Sequence, residues 1–261
     1  MYKHHQESMK RVVEYFENDL AVQGLLLGGS IAHSFAGPTS DIDIMIIIAD
    51  DNYRARLKRA ELQFFSRELC TYEGGYVDGK YLGTGLLQEM KDKGSEPARY
   101  AFQDVKVLLS RLESLEDTVR DIACYPVEQK VERIQRFYAQ FETWHWYTGE
   151  ALRLQNHYLL NVTVNKLVLF GGRLILAHNE LLYPYHKWFL KVLEGAKERP
   201  PELLRYIDQV YQQPNQENIE SFYELVKDFR EWEKGASKWP NQFMIDSELT
   251  WRNGFPPIDD I

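Results

Sequence analysis

The sequence predicts an α+β protein, with a sheet-forming N-terminal half followed by an all-helical C-terminal half. Three observations carry that prediction. Up to residue 123, short apolar runs bounded by Gly, Asp or Ser alternate with amphipathic stretches. From residue 127 onward the apolar residues recur at helical spacing, with no strand-like alternation to compete. Between these textures stands Pro126, which sets the expected domains at residues 1–125 and 126–261. A chain of 261 residues with 44% apolar composition is long enough to bury a sizeable core in each.

Taken in order, Met9, Val12, Val13, Phe16 and Leu20 stand at helical spacing and predict a first amphipathic helix. His4 and His5 precede it and read as solvated residues of a flexible terminus. Residues 21–27 form a short apolar run ended by Gly28-Gly29, the length of a buried strand, and Ser30 opens a short helix, IAHSF. Gly37-Pro38 signals a loop over 36–40, and residues 41–49 are a second, strongly apolar strand. The charge-rich stretch 50–67 predicts a partly exposed helix, and 76–82 alternates as a strand with Asp78 in its middle. A helix over 86–93, a last strand over 100–110 with Asp104 as a turn residue, and a helix over 112–123 complete this half. Helices are then expected over 127–156, 157–179, 185–196, 202–212 and 216–234, punctuated by Gly195, Pro200-Pro201 and Pro214. The tail 235–261, with Pro240, Pro256 and Pro257, is expected to wrap the surface.

Chemistry concentrates in LLLGGSIAHSFAGPTSDIDIMIIIA, residues 25–49. Glycines let backbone pass close to a ligand, and amides at a helix start attract anions, with the Ser30 hydroxyl at the same place. Asp41 and Asp43 alternate onto one face of a strand, with Cα atoms roughly 6.6 Å apart at about 3.3 Å per residue. Two carboxylates that close repel unless solvated or bridged by a divalent cation, and magnesium suits one or two protein carboxylates completed by water and phosphate. Asp41 borders a loop, where it is able simply to cap a turn. Asp43 precedes five apolar residues, 44–48, and an acid there needs a partner. Asp78 is the natural third carboxylate, for a second metal or for a proton from an attacking hydroxyl; an edge strand with Asp78 and Lys80 in solvent is the alternative.

Two features of the helical half carry sharper readings. Arg173 and His178 enclose four residues, a spacing seen in the ribonuclease motif of HEPN domains, although Arg plus His in a bundle is also common. In Tyr183-Pro184-Tyr185-His186-Lys187-Trp188, either Lys187 contacts a nucleotide or Pro simply initiates a helix over core aromatics.

The formal charge of −8 and pI near 5.5 argue against a broad grip on nucleic acid, and weakly favour a cationic or small polar substrate. Cys70 and Cys124 lie far apart in a chain with no leader-like N-terminus, so neither a disulfide framework nor a Cys-based metal site is expected, and a cytoplasmic protein is. The longest apolar run, 162–177, carries Asn165, Lys166 and Arg173 and reads as a core helix rather than a membrane span.

Gly28-Gly29-Ser30, then Asp41-x-Asp43 eleven residues after the Ser, then Asp78 on a later strand, together resemble the nucleotidyltransferase superfamily of DNA polymerase β type. The size and helical second half look like the antibiotic (aminoglycoside and lincosamide) nucleotidyltransferases and their uncharacterised bacterial relatives. The resemblance implies a mixed β-sheet flanked by helices, a triphosphate held at Gly28, Gly29 and Ser30, and magnesium at Asp41 and Asp43. Asp78 would ligate metal or act as base, and the helical domain would cover the cleft and help select the acceptor. It further implies transfer of AMP from ATP to a hydroxyl of a small molecule, with adenylylation of a protein or a catalytically silent nucleotide-binding module as alternatives. Gly79 departs from the pattern, where an apolar strand residue is more usual.

Overall fold

Strand β1 (Val22–Leu27) and strand β2 (Ile42–Ile48) are the apolar centre of a five-stranded sheet, completed by β3 (Gln63–Ser66), β4 (Val77–Gly83) and β5 (Lys106–Ser110). The order is β3-β4-β2-β1-β5. β2 and β4 run parallel while the other neighbours are antiparallel, so the sheet is mixed, as the resemblance implies. This computed structural model describes residues 1–235 and 238–254, and the chain divides into two units, Met1–Cys124 and Tyr125–Ile261.

The unbroken apolar run of β2 follows from burial on both faces. Ile42, Ile44, Ile46 and Ile48 pack with Val12 and Phe16 of helix α1 (Lys3–Phe16). Ile47 faces the other way and joins Leu26 with Leu87 of α4 (Thr84–Lys93) and Leu115, Val119 and Ile122 of α6 (Leu115–Ile122). Between these elements lie α2 (Gly29–Ala32), α3 (Asp50–Lys58) and α5 (Glu96–Tyr100).

Three expectations are corrected here. The helix expected over 50–67 ends at Lys58; the chain turns at Ala60 (φ 56°) and returns as edge strand β3. Phe64 decides this, because its ring reaches Phe16 at 5.0 Å and Tyr15 at 5.7 Å, and tertiary packing overrides a helix-like composition. The strand expected over 100–110 begins only at Lys106, since Ser95 caps α5 by accepting from the Ala98 amide at 3.4 Å, with Pro97 in the first turn. β4 is an interior strand, which removes the edge-strand alternative for Asp78. Gly79 also gains its reason: a Cβ there would lie 2.9 Å from Ile44 Cγ1 and 3.0 Å from Phe64 Cβ, so neighbouring side chains already fill the space.

His4 and His5 lie inside α1 rather than ahead of it. His4 Nε2 donates to the Pro38 carbonyl at 2.9 Å, while His5 is fully buried against the rings of Tyr2, His4 and Tyr72. Burial first, then the adjacent His4, lowers the His5 pKa below 6.5, with the Ser40 backbone opposing. A depressed histidine pKa means that the unfolded chain takes up the proton first. Stability contributed by neutral His5 is therefore complete above pH 6.5 and is lost as pH falls from there toward the lower folded-state pKa. Urea unfolding from pH 7.5 to 5 should show this loss, and His5→Phe should flatten it; equal slopes for the two proteins would refute the assignment.

The second unit is built from α7 (Lys130–Arg153), α8 (His157–His178), α9 (Phe189–Glu194), α10 (Leu203–Gln212) and α11 (Gln216–Lys227), with single 3-10 turns at Val127–Gln129 and His186–Trp188. By length and composition α8 is apolar enough to cross a membrane; here Leu167, Leu174, Ile175 and Leu176 are the fully buried centre of the unit's core. The last helix expected, over 216–234, stops at Lys227. In the tail, α12 (Trp239–Phe243) and the turns Met244–Glu248 and Thr250–Asn253 follow, and Arg136 and Gln140 of α7 hold Asp246 (3.0 Å) and Ser247 (2.9 Å). The tail residues 236–237 and 255–261, Pro256 and Pro257 among them, lie outside the described residues.

Candidate active site

The turn after β1 is locked to β2 at one residue. The Gly28 amide donates to the Asp43 carbonyl at 2.9 Å. Gly29 has φ +60°, and a Cβ on it would stand 1.8 Å from Asp43 Oδ2. Only glycine meets both demands, a left-handed backbone and direct contact with a carboxylate. Ser30 is buried, and its Oγ has no hydrogen-bond partner among the described residues. α2 is a single four-residue turn, shorter than the expected IAHSF helix, so its dipole is small and attraction for an anion rests on the amides and on Ser30 Oγ. Behind it, buried His33 contacts Asp104 through Nδ1 at 3.1 Å and stacks on Tyr100 at 4.7 Å, which ties the turn to the segment before β5. Asp104 is a turn residue with φ 61°, as expected.

The loop leading to Asp41 is fixed from three sides. The Gly37 amide donates to Ser40 Oγ at 3.0 Å, Tyr72 OH donates to the Ser40 carbonyl at 2.5 Å, and His4 holds Pro38. β2 and β4 then set the acids side by side: Asp43 and Asp78 are direct partners in the parallel register. Paired residues project from one face of a sheet, so these two carboxylates stand on the same face. Tyr76 OH donates to Asp41, and that bond, with the charges of Asp41, Asp43 and Asp78 around it, raises the Tyr76 pKa and keeps it a donor. Asp78 Oδ1 accepts from Gln63 Nε2 at 3.0 Å. One step further, Phe65 of β3 is the register partner of Asp78.

Gly28, Gly29, Ser30, Asp41, Asp43 and Asp78 thus all belong to the first unit and meet at the β1, β2 and β4 strand ends. Lys187 belongs to the second unit, where it is exposed in the His186–Trp188 turn with Nζ 5.2 Å from the Trp188 ring. Arg173 and His178 serve separate contacts: Arg173 lies between the rings of Phe137 (4.2 Å) and Tyr183 (4.4 Å), and His178 bonds Glu198 at 2.8 Å and contacts Arg230. Tyr76, Gln63 and Phe65 were not legible as site residues. The run Gln63-Phe64-Phe65-Ser66 lacks apolar alternation and follows a charged stretch, so only strand pairing reveals it.

Among the described residues, no group of three or more His, Cys, Asp or Glu side chains is arranged to hold a metal ion by itself. Magnesium makes no such demand, because one or two carboxylates suffice when water and phosphate oxygens fill the other positions. The adjacent Asp43 and Asp78 carboxylates, and the orphaned Ser30 hydroxyl beside them in the fold, suit a magnesium-bound phosphate chain.

Residues 9–73 match the nucleotidyltransferase domain family. That match lies within the first unit and is to the family whose motifs the sequence resembles. The matched stretch includes the glycine turn, Asp41 and Asp43 and ends before Asp78. Among solved structures, a nucleotidyltransferase-like protein from Exiguobacterium sibiricum 255-15 is similar at 9% identity and a TM-score of 0.49, covering 95% of this chain and 79% of that one. Spectinomycin adenyltransferase AAD(9) from Enterococcus faecialis, solved with ATP and spectinomycin, is similar at 11% identity and a TM-score of 0.28, covering 85% of this chain and 99% of the other. No curated protein matches the chain.

Proposed function

We propose that this protein is a magnesium-dependent adenylyltransferase that moves AMP from ATP to a hydroxyl of a small molecule, in the cytoplasm. The observation that carries the reading is the register pairing of Asp43 with Asp78 beside a glycine turn packed on Asp43, within a nucleotidyltransferase domain. The amides of Gly28 and Gly29 and the Ser30 hydroxyl bind the triphosphate. Asp41 and Asp43 hold magnesium, with Asp78 as a further ligand. A magnesium ion held there would supply charge neutralisation on the phosphates and would make the attacking hydroxyl more acidic. That hydroxyl's oxygen forms a bond to the α-phosphorus, the bond from phosphorus to the bridging oxygen breaks, and pyrophosphate leaves with the electron pair. Asp78, oriented by Gln63, takes the hydroxyl proton. For the acceptor, an aminoglycoside or lincosamide is the candidate class.

The test is incubation with ATP labelled at the α-phosphate and magnesium, with antibiotic panels and with cell lysate, followed by mass spectrometry. Label on a small molecule supports the reading, whereas label confined to lysate proteins would replace it with protein adenylylation. Asp78→Asn should lower the transfer rate by roughly 10²- to 10⁴-fold, the usual contribution of a positioned base. Undiminished transfer in that variant would remove Asp78 from the mechanism.

A further inference from the structure

The pairing of β3 with β4 sets an exposed aromatic beside the acids. Phe65 is opposite Asp78 in the antiparallel register, and Asp78 is opposite Asp43 in the parallel one, so the three share one row and one face. Phe65 is 53% exposed, unusual for a Phe, and its ring stacks on Tyr76 with centroids 5.4 Å apart and planes 30° apart. The Tyr76 hydroxyl is in turn bonded to Asp41. Across the sheet the order is the glycine turn after β1, Asp43 on β2, Asp78 on β4 and Phe65 on β3.

We propose that the Phe65–Tyr76 pair is the platform on which the acceptor's ring lies while its hydroxyl meets Asp78. The inference rests on the adenylyl-transfer reading and deepens it by assigning the acceptor side. In-line displacement puts the attacking oxygen and the leaving pyrophosphate on opposite sides of the α-phosphorus. With the phosphate chain at the β1 turn, attack comes from the β4 and β3 side. Adjacent strands are about 4.8 Å apart, so an acceptor hydroxyl at Asp78 brings the next ring of its molecule over Phe65. The platform fits a ring-shaped alcohol with an apolar C–H face, such as an amino sugar or aminocyclitol, whose amino groups suit three nearby carboxylates. An exposed ring stacked on a second one is already ordered, so binding costs it little rotamer freedom.

The experiment compares wild type, Phe65→Ala and Phe65→Tyr in steady-state transfer from labelled ATP to kanamycin, spectinomycin and lincomycin. Phe65 is on an exposed edge strand, so both variants should fold, which circular dichroism checks. Phe65→Ala should raise the KM for the acceptor about tenfold while leaving the KM for ATP within twofold, and Phe65→Tyr, which keeps the ring, should restore the acceptor KM. A rise in the ATP KM instead would make the pair a nucleobase platform and overturn the assignment. An unchanged acceptor KM in Phe65→Ala, with wild-type transfer intact, would overturn the platform alone. Wild-type protein that transfers to none of the three would overturn the platform for this acceptor class, and if the lysate also yields no labelled product, the transferase reading falls with it.

Discussion

Asp43→Asn is expected to lower nucleotidyl transfer about a thousandfold, an effect typical of losing one preorganised electrostatic contact in an active site. The substitution is nearly isosteric, which matters because Asp43 touches Gly29 closely enough to exclude a methyl group. Shape is kept and one charge is removed. The variant should still fold, since the amide fills the same space against Gly29. A native circular dichroism spectrum, together with collapsed activity, is the expected pair of results. Activity above a tenth of wild type would show that Asp43 is structural.

Gly29→Ala should damage both stability and activity. A left-handed backbone costs a non-glycine residue roughly 1–2 kcal/mol, and forcing an extra carbon into filled space adds about 1–3 kcal/mol. The new Cβ meets Asp43 Oδ2 at 1.8 Å, so either the turn or the carboxylate must move. A loss of about 2–5 kcal/mol in the first unit follows, measurable as a lower urea midpoint with unchanged slope. Because the displaced group is Asp43, transfer should fall even under conditions where the variant is fully folded. Wild-type stability in Gly29→Ala would mean that the turn relaxes freely, contrary to the contact with Asp43.

The division into sheet and bundle was plain in the sequence because burial periodicity is a local signal. β2 announces itself by isoleucines on both faces, and α8 by a long apolar run. The acids were legible for a different reason: Asp43 heads a buried strand, where a charge needs a purpose. What stayed hidden depends on pairing between distant segments. β3 carries no alternation of its own and exists because Phe64 fills the space over Gly79. Gln63 and Tyr76 acquire their meaning only when strand pairing brings their side chains to Asp78 and Asp41. His5 was misread in the same way. An N-terminal histidine pair reads as solvated until the 70–72 segment folds back, with the Thr71 amide donating to Ser8 Oγ at 2.9 Å and Tyr72 covering the ring.

The contact between Gly29 and Asp43 also has an evolutionary side. The two positions are fourteen residues apart by number, yet 29 is not free to vary alone: a side chain at 29 requires a shorter one at 43. Position 28 joins them, since its amide is bonded to the backbone of 43. Inheritance should therefore treat the turn and the acid as one character. In descendants of this chain that abandon catalysis, loss of the carboxylate at 43 should come first, since it lifts the contact at 29 and leaves only the left-handed backbone to disfavour a side chain there, so a non-glycine residue at 29 would mark a copy that has already lost its acid.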